Sequence, residues 1–108
     1  MDIVVVYCTT PNKTQAKSIA RTLVKNKLAA CVSLTPNVKS YFSWEGELCN
    51  ENEVLLTIKT RREYFKKVKI VIESMHDYTV PEIIALPVIE CGEEYAKWLE
   101  TETEPLQN

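Results

Sequence analysis

Residues 28–59 read LAACVSLTPNVKSYFSWEGELCNENEVLLTIK, and the fold turns on how this stretch divides. Leu28 to Leu34 is apolar and ends in a strand-like run. Pro36-Asn37 interrupts it, and Val38 to Trp44 resumes an extended, aromatic-rich pattern. Glu45-Gly46-Glu47 is the tight-turn signal. Glu53 to Lys59 then places Val54, Leu56 and Ile58 on one face of a further strand. The whole reads as a long β-hairpin. At ~3.3 Å per residue its first limb, Leu28 to Trp44, would run about 55 Å. A compact domain of this length has a radius of gyration of only ~13 Å. The hairpin must therefore bend, project or pair with a neighbour. An edge bearing Tyr41, Phe42 and Trp44 is an aggregation hazard unless another chain uses it. The alternative is that Pro36 folds the strand back onto its own sheet.

Outward from the hairpin, residues 2–9 are almost continuously apolar, as expected of a central strand buried on both faces. Thr10-Pro11 suits a helix start, with Thr10 as N-cap. Along 12–27, Ala16, Ile19, Ala20 and Leu23 recur at helical spacing while Lys13, Lys17, Arg21 and Lys25 face away. On the other side, Thr60-Arg61-Arg62-Glu63 has the form of a capping box. Tyr64, Phe65, Val68, Val71, Ile72 and Met75 form the stripe of the helix that follows, and Arg61, Arg62, Lys66, Lys67 and Lys69 are expected on a solvated face. His76 to Pro81 is a loop. Ile83 to Ile89 is a last strand, which Pro87 assigns to an edge or a bulge. After Gly92 a short helix carries Tyr95, Trp98 and Leu99. The order is the split βαββαβ pattern of an α+β, ferredoxin-like sandwich with a small terminal helix. We expect one domain over 1–102 and a frayed tail over 103–108, the fraying beginning near Thr101. Helices of this topology cover one sheet face, so the apolar first strand calls for a partner on the other, and a closed ring of copies follows.

The 108 residues hold one core, with 45% apolar and 26% charged residues and a formal charge of −2. That balance argues against a nucleic-acid partner. No apolar run reaches membrane-span length, and the first residues read as a strand, not a leader; a cytoplasmic location is expected. The two glycines, Gly46 and Gly92, exclude Gly-rich phosphate loops. None of Cys8, Cys31, Cys49 and Cys91 forms a C-x-x-C pair, so each is expected to be a free thiol, by default a small buried hydrophobe. No Ser-His-Asp set, paired-acid motif or H-E-x-x-H is present, so catalysis is not expected.

Several short signatures together resemble the CutA (divalent-cation tolerance) family. They are Leu28-Ala29-Ala30-Cys31-Val32, Ser40 through Trp44-Glu45-Gly46, Lys59-Thr60, His76-Asp77-Tyr78 with Pro81-Glu82-Ile83, and Tyr95-x-x-Trp98. They span nearly the whole chain. Phe42 stands where Tyr is frequent, Ser33 where Asn is common, and Met75 precedes His76 where some members carry two histidines. The resemblance implies a ferredoxin-like homotrimer similar in architecture to PII signalling proteins, linked to metal-ion tolerance. It also implies copper as the candidate metal, because the positions matching the copper-associated ones are Cys8, Met75 and His76.

Those three side chains carry thiolate, thioether and imidazole donors, a mix that suits Cu(I); a lone loop histidine is otherwise a structural hydrogen-bonder. A second candidate is a ligand cleft at a subunit boundary drawing on Cys31, Trp44, Lys59, Tyr78, Glu82 and Glu90. The alternative there is an interface network in which Lys59 pairs with Glu82 or Glu53. Three roles remain open: a metal-responsive, copper-binding trimer, a PII-like sensor of a small ligand or partner protein, and a structural trimer.

Overall fold

The computed structural model describes residues 1–105. In chain order the elements are β1 (Ile3–Thr10), α1 (Lys13–Lys25), β2 (Cys31–Trp44), β3 (Glu47–Arg61), a 3-10 turn (Arg62–Tyr64), α2 (Phe65–Met75), β4 (Ile84–Pro87) and α3 (Glu93–Glu102). The sheet order is β2-β3-β1-β4 and every neighbouring pair is antiparallel. Each helical crossover skips one strand, which is the expected ferredoxin-like topology. No helix among the described residues is long and apolar enough to cross a membrane.

The helices cover one face. Val4, Val6 and Cys8 of β1 and Val54, Leu56 and Ile58 of β3 point into it, against Ala16, Ile19 and Leu23 of α1 and Val68 and Ile72 of α2. These positions follow the period of 2 in the strands and 3.6 in the helices. The expectation that β1 is buried on both faces fails within a single chain: Ile3, Val5 and Tyr7 alternate with the core residues and remain half-buried. The same open face carries Leu55, Ile84 and Leu86, the last two 51% and 43% exposed.

The hairpin projects. β3 pairs with β1 only as far as Val54, opposite Thr10, whereas β2 and β3 stay paired out to Trp44 opposite Glu47. Beyond Val54 the arm has no third strand, so Tyr41, Trp44 and Leu48 are exposed. Pro36 does not fold it back. A bulge between Thr35 and Val38 absorbs Pro36 and Asn37, with Asn37 at φ 63°, and the ladder resumes. Glu45 at φ 50° and Gly46 at φ 82° close a type I′ turn. The molecule measures 47 × 31 × 22 Å as a result.

Local caps differ from expectation. Asn12, not Thr10, caps α1, its Oδ1 accepting the Gln15 N–H at 2.8 Å. Thr10 is fully buried and its hydroxyl donates to the Asn12 carbonyl at 3.0 Å. Leu28 to Ala30 precede the second strand: the Leu28 and Ala29 N–H groups both return to the Leu23 carbonyl and close α1 behind Lys27, which sits at φ 60°. Thr60 is a strand residue whose hydroxyl donates to Leu28 O at 2.6 Å, so no capping box forms.

Arg61 was expected on a solvated face. It instead donates from Nε to Thr103 Oγ1 at 2.9 Å and from Nη2 to Glu100 O at 2.8 Å. Tyr64 donates its phenol to Thr103 O at 2.6 Å, and Lys27 Nζ reaches Glu102 O at 3.4 Å. Carbonyls at the C-terminal end of α3, orphaned by helix geometry, are thus taken by donors from β3, the 3-10 turn and the loop after α1. Leu99 and Thr103 are fully buried and α3 runs to Glu102; of the tail expected to fray, residues 106–108 lie outside the described residues.

Candidate functional site

The His76–Tyr78 loop sits where the arm leaves the sheet. His76 is the C-cap of α2, its N–H bonded to Ile72 O. Its Nε2 lies 2.7 Å from the Thr9 carbonyl oxygen and its Nδ1 accepts the Tyr78 N–H at 3.0 Å. A carbonyl only accepts, so the ring is the neutral Nε2–H tautomer with both nitrogens occupied. The Asp77 N–H donates to Gln15 Oε1 at 3.2 Å, tying the loop to α1. The Tyr78 phenol donates to Glu53 Oε2 at 2.9 Å, tying it to β3, and the His76 and Tyr78 rings pack with centroids 4.8 Å apart.

Glu53 is only 7% exposed. Burial first, then the hydrogen bond to Glu53 and the charges of Glu53 and Glu51, push the Tyr78 phenol up to about 12. Cys8 is fully buried beneath the same loop, and its thiol points at the Thr9 carbonyl at 3.7 Å. Burial, aided by the negative charges of Glu82 and Glu53, pushes that thiol up to about 12 as well.

Cys8 and His76, brought together in sequence only by resemblance, do converge: both contact the Thr9 carbonyl oxygen. The arrangement does not fit a soft-metal site. Imidazole ligation needs a free ring lone pair, and here Nδ1 already accepts the Tyr78 N–H. Met75 is half-buried against the core.

The expected ligand cleft is not assembled within the single chain. Tyr78 and Glu82 lie at the loop. Lys59 and Cys31 face each other across β3 and β2 on the open face, level with Val5. Lys59 lies six positions along β3 from Glu53, about 20 Å of strand, and no ion pair joins Lys59 to Glu53 or Glu82 among the described residues. Trp44 is at the arm tip, and Glu90 follows β4 at the opposite end of β1. The cysteine default holds for Cys8 alone; Cys31 and Cys49 are half-exposed and Cys91 is exposed. Two participants were missed. The Thr9 carbonyl is a backbone group without a sequence signal. Glu53 was visible as an acid opening an apolar strand, but its burial depends on the loop folding over it.

A four-stranded antiparallel sheet in this order, two crossover helices on one face, a projecting hairpin and a loop pinned at its root define a ferredoxin-like α+β protein with an arm. The family model described as CutA1 divalent ion tolerance protein matches residues 4–102, and the chain belongs to that family. It is 43% identical over 99 residues to the Divalent-cation tolerance protein CutA of Thermus thermophilus, covering 92% of this chain and 96% of that protein. Against the Arabidopsis thaliana Protein CutA, chloroplastic, the identity is 40% over 100 residues, 93% of this chain and 55% of that one. The crystal structure of CutA1 from Oryza sativa superposes with a TM-score of 0.93 at 38% identity, covering 96% and 95% of the two chains.

Proposed function

We propose that this chain serves divalent-cation tolerance as a homotrimer, and that the His76–Tyr78 loop is a fastening at the root of the arm and not an open port for copper. The observation that carries the second part is the double engagement of the His76 ring, between Thr9 O and Tyr78 N–H, above a sealed Cys8 thiol. Assembly is supported by the apolar open face of Ile3, Val5, Tyr7, Leu55, Ile84 and Leu86, and by the unpaired arm with its exposed Trp44. The tolerance role is supported by family membership. A reducing compartment, the cytoplasm in this reading, suits four free cysteines of which three are accessible.

The test is an anaerobic Cu(I) titration against a competing chelator, run on the native protein, Cys8→Ser and His76→Ala. We expect no one-per-chain site that disappears in both variants. Loss of the same site in both would make the loop a copper port and overturn the fastening role. Light scattering of the native protein that gave a monomer mass would remove the trimer.

A further inference from the structure

At the opposite end of β1 from the loop, on the helix side of the sheet, lies an open cleft of about 1440 Å³. Its cause is visible in β4. The residues of β4 that pair with Val4 and Val6, and so share the helix face, are Pro87 and Ala85. Both are small where the open-face residues Ile84 and Leu86 are large. α2 ends its sheet cover at Phe65, and α3 presents only Ala96. The small side chains leave the space, and no helix fills it.

The walls differ in chemistry. Phe65, Pro87 and Val88 make an apolar floor, and Arg62 and Lys66 stand above it one helical turn apart. Both cations are exposed, and neither has an acidic partner within ion-pair distance among the described residues. Of the two carboxylates in the lining, Glu63 is drawn to Arg61 at 3.8 Å, which leaves Asp2. Two uncommitted cations stand beside an apolar floor. Such a site complements an anion carrying an apolar body.

We propose that this cleft binds a small anionic amphiphile, an aliphatic carboxylate with its head at Arg62 and Lys66 and its chain along Phe65, Pro87 and Val88. The affinity is modest, because both cations are solvated. Cys91 lines the same cleft and is exposed, so it reports on occupancy.

The experiment is site-resolved alkylation of the native full chain by iodoacetamide, read by mass spectrometry, with decanoate, decanol or neither. At ten times the half-saturating decanoate concentration, mass action leaves about a tenth of the clefts empty and Cys91 alkylation slows about tenfold. Cys31 and Cys49 keep their rates. Decanol protects far less, and Arg62→Ala/Lys66→Ala loses the decanoate effect; Lys66→Gln alone weakens it. Both changed residues are exposed, so the variants fold. Equal protection by decanol, undiminished protection in the double variant, or no protection of Cys91 by decanoate below its micelle concentration would each overturn the proposal. So would a Cys91 that is inert without any additive, since another copy would then close the cleft.

Discussion

Alkylation of the native protein should leave Cys8 as the last of four thiols to react, and by a wide margin. The perturbation is burial under the His76–Tyr78 loop with two carboxylates nearby, which moves the thiol from 9.0 to about 12. Each unit is tenfold in the thiolate population, so Cys8 carries about a thousandfold less nucleophile than an unperturbed thiol at neutral pH. A side chain with 0% exposure also admits reagent only when the end of β1 opens. A pulse of iodoacetamide near pH 8, acid quench, digestion and mass spectrometry give the four rates in one sample. Cys91 should react first, Cys31 and Cys49 next, and Cys8 about a thousandfold or more behind Cys91. Glu82→Gln, which removes one of the two charges, should raise the Cys8 rate without changing that of Cys91. A Cys8 rate within about tenfold of Cys91 would refute the reasoning. The thiol would then be available as a thiolate at neutral pH.

Tyr78→Phe removes the donor to a buried Glu53 carboxylate and should cost about 2 kcal/mol by denaturant titration at neutral pH, since hydrogen bonds to charged groups are the strong ones. Tyr78 also shapes the alkaline limb. Its folded pKa is raised from 10.0 to about 12, so its contribution is fully present below pH 10 and is lost as pH rises through about 12; the variant should show a shallower fall there, and an identical curve would count against the Glu53 bond. Arg61→Ala should strip the caps from Glu100 and Thr103 and raise amide exchange over the last turn of α3, while β1 and β3 keep their protection. Unchanged exchange there would show that Leu99 alone docks the helix. Trp44→Ala should weaken assembly on dilution by about 2 kcal/mol or more, as buried aromatics at interfaces do, with no loss of helix by circular dichroism; an unchanged assembly would remove the arm from the interface.

The sequence alone determined the element order, the ferredoxin-like class and the long hairpin. Those rest on local patterns: alternation in Val54, Leu56 and Ile58, helical spacing in Ala16, Ile19 and Leu23, and a turn at Glu45-Gly46. Such periodicities decide which face of an element is apolar before any tertiary contact forms. The family motifs added His76 and Tyr78 as a pair worth examining. Only the tertiary structure decided what they do. The tautomer of His76 is set by the Thr9 carbonyl, 67 residues away in the chain, and the burial of Glu53 by a tyrosine 25 residues on. Arg61 looked like part of a basic face until Thr103, 42 residues later, supplied an acceptor. The cleft beside β4 arises because strand register turns the small residues Ala85 and Pro87, not Ile84 and Leu86, towards the helices. A one-residue slip would reverse that choice. Register and long-range partners follow from the packing of the whole chain, and no local pattern encodes them.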